Sequence, residues 1–300
     1  MSFVFCAHHY VTPDLKKIAI ESGGVVGDSL EIAKFCMNSS SSEILIAGSR
    51  FMGETAKILA PEKKIYMLSK DASCSLTDDV DFNDFRDFRD FVLSNPSKKV
   101  VVYANSSAEI KSLADYVVTS SNACQIIEHI DNLGYEVVFG TDSNLAKFVI
   151  KKTGIEFDYF HGTCVVHEEF NLEKTLGLKT LHPDAEIVSH PEAGLPILDA
   201  SDYVGSTSGM INYIKNSTSR EFIVITDKSL ILSLSDAFPE KSFIPGPTGK
   251  ESASCTSCAR CPHMKLNESS LLDNFRENEV ILSPELISSA KVGLMNMLDF

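Results

Sequence analysis

Cys74, Cys164 and Cys261 stand 90 and 97 residues apart (74 to 164, 164 to 261), each following a segment that reads as a β-strand, 64–68, 155–160 and 241–244. One thiol per repeat at the same station predicts three sulfurs meeting over a shared pocket, because open α/β units gather ligands at the carboxyl ends of their strands. Three thiolates with an open fourth position make a metal site, and thiolates suit zinc and iron–sulfur clusters alike. The run Cys255-Thr-Ser-Cys258-Ala-Arg-Cys261-Pro-His-Met264 also has cluster-like spacing and could host a zinc knuckle, although a second Cys-x-x-Cys pair is absent. If Cys261 belongs to the trio, Cys255 and Cys258 are left as a redox pair or as spare thiols. Cys6, Cys36 and Cys124 lie in apolar or helical surroundings and read as small buried hydrophobes.

His8, Tyr10, Tyr103, Asn105, His190 and Glu192 fall where strands should end. A histidine titrates near neutrality, and a carboxylate two residues along an extended chain projects to the same side. His190-Pro-Glu192 has that spacing, and the proline keeps the residue before it extended, so the pair could exchange protons. Ser29, Ser120 and Thr207 open helical stretches after Gly- or Ser-rich turns. Singly, each reads as an N-cap worth on the order of 1 kcal/mol. Three helix N-termini around one cavity would instead attract a phosphate or carboxylate. Of the other histidines, His9 should face away from the centre, His129 lie exposed on a helix and His182 in a turn. His161 and His167 flank Cys164 as outer neighbours of the metal site.

The elements that must position these residues recur three times. Glu43-Ile-Leu-Ile-Ala-Gly, Glu136-Val-Val-Phe-Gly-Thr and Glu221-Phe-Ile-Val-Ile-Thr are short apolar runs, each followed by a polar turn and a helical pattern. Upstream, Phe3–Ala7, Lys99–Val102 and Ala185–Ser189 repeat at the same period. Each unit reads strand, helix, strand, helix, strand, which implies a parallel sheet covered by helices on both faces. The expected fold is α/β: three homologous three-layer α/β/α domains with small parallel sheets around a pseudo-threefold axis. Their expected bounds are 1–77, 78–165 and 166–265, with a helical tail, 266–300, packed back on the first repeat. The acidic stretch from Thr77 to Phe91 reads as a solvated connector with a helical end, or else, from its three-residue Phe spacing, as a helix with one apolar side.

Composition narrows the function. The 27 Lys and Arg against 41 Asp and Glu give a net charge of −14, which disfavours a nucleic-acid partner. Local helix dipoles still outweigh a surface charge screened beyond ~8–10 Å, so an anionic small substrate stays compatible. Apolar runs are strand-sized, far short of the ~20 residues of a membrane span. No basic region precedes the first apolar run, so a cytoplasmic protein with reduced thiols is expected.

Taken in order along the chain, these motifs resemble the quinolinate synthase family. The resemblance rests on Ala7-His-His-Tyr10, Gly27-Asp-Ser-Leu-Glu31, Phe51-Met-Gly-Glu-Thr-Ala-Lys57, Cys74-Ser-Leu-Thr-Asp78, Tyr103-Ala-Asn-Ser-Ser-Ala-Glu109, the segment from Asp115 to Ala123, His161-Gly-Thr-Cys-Val-Val-His167, His190-Pro-Glu192, Gly205-Ser-Thr-Ser-Gly-Met210 and Cys258-Ala-Arg-Cys-Pro-His-Met264. The sequence departs from the family pattern at Val11, where Gln is usual, and at Ala193-Gly194, where Cys-Pro is common. It also lacks the Trp that commonly stands two positions before the Gly-x-Cys motif.

The resemblance implies a transferase that condenses iminoaspartate with dihydroxyacetone phosphate to quinolinate in de novo NAD biosynthesis. It implies a 4Fe–4S cluster on Cys74, Cys164 and Cys261 whose open iron acts as a Lewis acid. Ser29 and Ser120 would bind phosphate; His8, Tyr10, Tyr103, Asn105 and Thr207 would hold carboxylate or carbonyl oxygens. His190 and Glu192 would move protons, Met52 and Met264 would line the cavity, and L-aspartate oxidase or aspartate dehydrogenase would supply iminoaspartate. Two other readings compete: a cluster- or zinc-carrying binding protein, and another three-domain iron–sulfur enzyme such as a diphthamide synthase. His190-Pro-Glu192 and Tyr103-Ala-Asn105 favour quinolinate synthesis, since a metal carrier has no need of them.

Overall fold

The computed structural model describes residues 3–92, 97–249 and 259–300. The first unit runs β1 (Val4–His8), α1 (Pro13–Glu21), β2 (Val26–Gly27), α2 (Ser29–Asn38), β3 (Glu43–Ala47), α3 (Arg50–Leu59), β4 (Lys64–Met67) and α4 (Ser75–Asp78). The second runs α5 (Phe82–Val92), β5 (Lys98–Tyr103), α6 (Ala108–Lys111), β6 (Tyr116–Val118), α7 (Ala123–Asn132), β7 (Glu136–Gly140), α8 (Ser143–Thr153) and β8 (Asp158–Tyr159). The third runs α9 (Leu172–Leu181), β9 (Glu186–Ser189), α10 (Leu195–Asp199), β10 (Tyr203–Val204), α11 (Thr207–Asn216), β11 (Glu221–Ile225), α12 (Ser229–Ala237) and β12 (Ser242–Pro245).

The three sheets have one topology: β2-β1-β3-β4, β6-β5-β7-β8 and β10-β9-β11-β12, all parallel. The apolar runs form central strands because both sheet faces are covered by helices; Phe5, Leu45, Val101, Phe139, Val188 and Ile223 have no exposed surface. Each sheet carries one strand more than the sequence pattern indicated. The extra edge strands β2, β6 and β10 span only two or three residues, too short for periodicity to register.

Sheet order places the first and third strands of each unit side by side, so the winding reverses between them. A crevice opens at the carboxyl ends of the strands there. The last paired residues are Ala7 with Ala47, Val102 with Gly140 and Ser189 with Ile225. His8, Tyr103 and His190 each come one residue later, at the same crevice in each unit.

The acidic stretch resolves into α5, a helix with one apolar side. Phe85 is buried, Phe82 and Phe88 pack beside it, and Phe91 is 82% exposed. Gly140 makes room for this packing, since a Cβ there would stand 2.2 Å from the Phe85 ring. The tail spans two units rather than one. Phe275 enters the first core against Phe3 and Tyr66, and Val280 N–H donates to the Ile65 carbonyl. Helix α13 (Pro284–Leu298) then lays Ala290, Leu294 and Met297 on α3, α6 and β6.

Candidate active site

The crevices of the three units meet in one cavity holding about 700 Å³ of empty space, part of it open to solvent. Its wall carries His8, Tyr10 and Ser29 from the first unit, Tyr103, Asn105 and Ser120 from the second, and His190, Glu192 and Thr207 from the third. Cys74, Cys164, Cys261 and Met264 complete the set expected from sequence, with one exception. Met52 lies in the first unit's core, and its neighbour Phe51 is at the wall instead. The two residues are a hundred degrees apart around α3, so only one of them can face the cavity. His9 is turned away, toward Glu31 and Ser208. His129 is half-buried against Tyr116 and Phe300 rather than exposed, and His182 pairs with Glu221. Cys255 and Cys258 lie outside the described residues.

The three cysteines occupy equivalent stations by a backbone criterion. After the third strand of each unit, one N–H donates to the carbonyl two residues before the cysteine: Arg50 to Ala72, Ser143 to Gly162 and Lys228 to Ala259, each at 2.8 Å. Gly162 is required for the second contact, since a Cβ would stand 2.4 Å from the Thr141 carbonyl oxygen. Burial pushes the Cys74 and Cys164 thiols well above the usual range and Cys261 up to about 11. Without a cation these thiols stay protonated; a bound metal would reverse that. Three soft donors converging on one cavity with room for inorganic atoms fit an iron–sulfur or zinc centre. A second donor group overlaps it, for ligand atoms of Cys164, His167 and Glu192 all lie within 4.8 Å of one another.

Glu192 is the hub of the polar network. Its Oε1 accepts from Tyr103 Oη at 2.7 Å and Asn105 Nδ2 at 3.2 Å, and its Oε2 lies 2.8 Å from His167 Nδ1. Burial opposes its charge, but His190, His167 and Tyr103 outweigh that and hold the carboxyl well below its usual range. His190 stacks on His167 and lies 3.7 Å from Glu192, yet burial lowers its imidazole to about 4. At neutral pH the pair is therefore a carboxylate beside a neutral imidazole. Burial likewise lowers His8 and raises the Tyr103 and Tyr10 phenols.

A chain of hydrogen bonds leaves Glu192 through His167. His167 Nε2 meets Thr226 Oγ1 at 3.0 Å, Thr226 Oγ1 meets Tyr10 Oη at 2.6 Å, and Tyr10 Oη meets Thr207 Oγ1 at 3.0 Å. It crosses the site to the first unit and returns to the third. His167 is thus in the cavity wall itself, closer to the chemistry than an outer neighbour of Cys164. Thr226 and Asp227 went unassigned in the sequence, although both sit just past β11, where the rule of strand ends could have found them.

The helix starts are capped by neighbours of the residues singled out from sequence. Asp28 caps α2 by accepting from Leu30 and Glu31 N–H, and Ser206 caps α11 by accepting from Gly209 N–H. Ser29 and Thr207 are consequently the first helical residues, relieved of capping and facing the cavity. Ser120 bonds to Tyr103. Among the described residues no lysine or arginine lines the cavity, and the Asp28 and Asp227 carboxylates are occupied by backbone N–H groups. An anion here would be met by helix N-termini, hydroxyls and imidazoles.

Fold and site together define an enzyme of three α/β units built around a thiol-lined, metal-competent cleft. No helix among the described residues is long and apolar enough to cross a membrane. The chain belongs to the quinolinate synthetase A (NadA) family, whose model matches residues 1–299. That membership supports quinolinate synthase function in NAD biosynthesis.

Proposed function

We propose that the protein condenses iminoaspartate with dihydroxyacetone phosphate, giving quinolinate, phosphate and two waters, with a 4Fe–4S cluster held by Cys74, Cys164 and Cys261. The observation that carries this reading is the convergence of one cysteine per unit, each behind the same backbone hydrogen bond, on a cavity walled by protonatable groups. When bound, the cluster would supply a Lewis acid for departure of a hydroxyl. Ser29 and Ser120, with the N-termini of α2 and α7, take the phosphate; that no lysine or arginine among the described residues lines the wall suits release of that phosphate after the chemistry. His8, Tyr10, Tyr103, Asn105 and Thr207 hold carboxylate and carbonyl oxygens, and Met264 closes the wall. Glu192, ionised at neutral pH, accepts the proton removed from carbon or nitrogen, and the neutral His190 beside it exchanges it onward. Iminoaspartate would come from L-aspartate oxidase or aspartate dehydrogenase, in a reducing cytoplasm that suits free thiols. Anaerobic assay of reconstituted protein with oxaloacetate, ammonia and dihydroxyacetone phosphate tests the reading: quinolinate should accumulate with one phosphate released per ring formed.

A second reading has its own observation: the mixed donor set of Cys164, His167 and Glu192 could hold a single zinc-like ion. It requires His167 for metal and leaves Cys74 and Cys261 dispensable, whereas the cluster requires both cysteines.

A further inference from the structure

The three cysteine stations share one backbone contact but differ in how far each thiol stands from its sheet. Cys74 follows the end of β4 at Met67, and Cys164 follows the end of β8 at Tyr159, within a few residues. Cys261 comes much later, after β12 ends at Pro245. A thiol this far along the chain from its strand gains most from a second direct restraint to the sheet. Asp227, 1% exposed and just past β11, supplies one. Its Oδ1 accepts from Ser229 N–H at 2.7 Å, and its Oδ2 accepts from the N–H of Cys261 itself at 2.5 Å. With Lys228 N–H on the Ala259 carbonyl, residues on both sides of Arg260 are fastened to the third sheet.

The equivalent residues do not do this. In the second unit Asp142 Oδ1 accepts from Leu145 N–H at 2.6 Å, while its buried Oδ2 has no hydrogen-bond partner among the described residues. In the first unit the position is Ser49, which has no carboxylate to offer. The geometry assigns Asp227 as the positioning residue of Cys261, a carboxylate clamp that holds the third thiol in place for the metal centre. This rests on the reading of Cys261 as a cluster ligand.

Asp227→Asn tests it, because the amide keeps one acceptor oxygen for Ser229 N–H and turns a donor toward Cys261 N–H. In metal-free protein, amide hydrogen exchange at Cys261 should quicken about tenfold or more, with the second unit's strands unchanged. In anaerobically reconstituted protein, a strong iron chelator should strip iron about tenfold faster than from the native chain. Asp142→Asn, the matched variant one unit earlier, should lose iron within about twofold of the native rate. Native exchange at Cys261 together with native iron release in Asp227→Asn would overturn the assignment, as would equal acceleration by Asp142→Asn. A native chain that takes up no cluster would sink the functional reading, while the exchange measurement would still decide whether Asp227 clamps Cys261.

Discussion

Replacing Glu192 by Gln removes the central charge while keeping the shape. The carboxylate accepts from Tyr103 and Asn105 on one oxygen and faces His167 on the other. The amide oxygen can keep the first two contacts, so Tyr103 and Asn105 should hold their positions, and the substrate binding proposed for them should change little. On the proposed function the group that takes the proton is gone, and kcat should fall by ~10²–10⁴-fold, the usual worth of a positioned acid or base. An independent readout comes from His190, whose Nδ1 lies 3.7 Å from Glu192. A unit charge at that distance is worth about 1 kcal/mol with water-like screening and about 4 kcal/mol at an effective dielectric of 20. Burial sets His190 at about 4, and the Glu192 charge works against that fall. Removing the negative charge should therefore lower it by about 0.8 pH units or more. In metal-free protein at pH 4.5, imidazole NMR should show the protonated fraction of His190 dropping from about a quarter to about 5 per cent. An unchanged or increased fraction would refute the electrostatic coupling, and full activity in Glu192→Gln would refute its role in proton transfer.

Thr226→Val should break the link between His167 and Tyr10, leaving the buried His167 Nε2 without this partner while Tyr10 keeps Thr207. Denaturant titration should show a loss on the order of 1–3 kcal/mol, with Thr226→Ser restoring most of it. His190 binds its proton more weakly folded, at about 4, than unfolded, at 6.5. The unfolded chain therefore protonates first, and stability should drop as pH falls from 6.5 through about 4. That group's share is about 3 kcal/mol, read as the difference between native and His190→Gln unfolding curves. On α5, Phe85→Ala should cost about 3–5 kcal/mol because Phe85 is fully buried. Phe91→Ala on the same helix should stay within about 0.5 kcal/mol, since Phe91 faces solvent.

The threefold fold was legible because its central strands are buried on both faces and so appear as unbroken apolar runs such as 43–47 and 221–225. The cysteine trio was legible through its even spacing, and His8, Tyr103 and His190 through their common place at strand ends. What escaped had specific causes. Edge strands of two or three residues leave no period. Cavity-facing and core-facing positions on α3 differ by one residue, so Met52 stood in for Phe51. Cap positions slipped by one because Asp28 and Ser206 precede the residues that reach the cavity. His167 was undervalued because a histidine three residues from a cysteine reads as its neighbour, whereas the fold brings Glu192, from past the end of β9, to within 2.8 Å. No local pattern encodes that meeting. The apolar side of α5 was visible, but four Phe among so many charges look solvated until Gly140 is known to leave space beneath them.

The most direct test of the account is anaerobic reconstitution with iron and sulfide, followed by analysis of bound iron, bound sulfide and the ~400 nm absorbance of an iron–sulfur chromophore. The native chain should bind about four of each, and Cys74→Ser, Cys164→Ser and Cys261→Ser should each abolish the band. Full iron and sulfide in any one of the three variants would contradict the convergence of the three stations on a single metal centre.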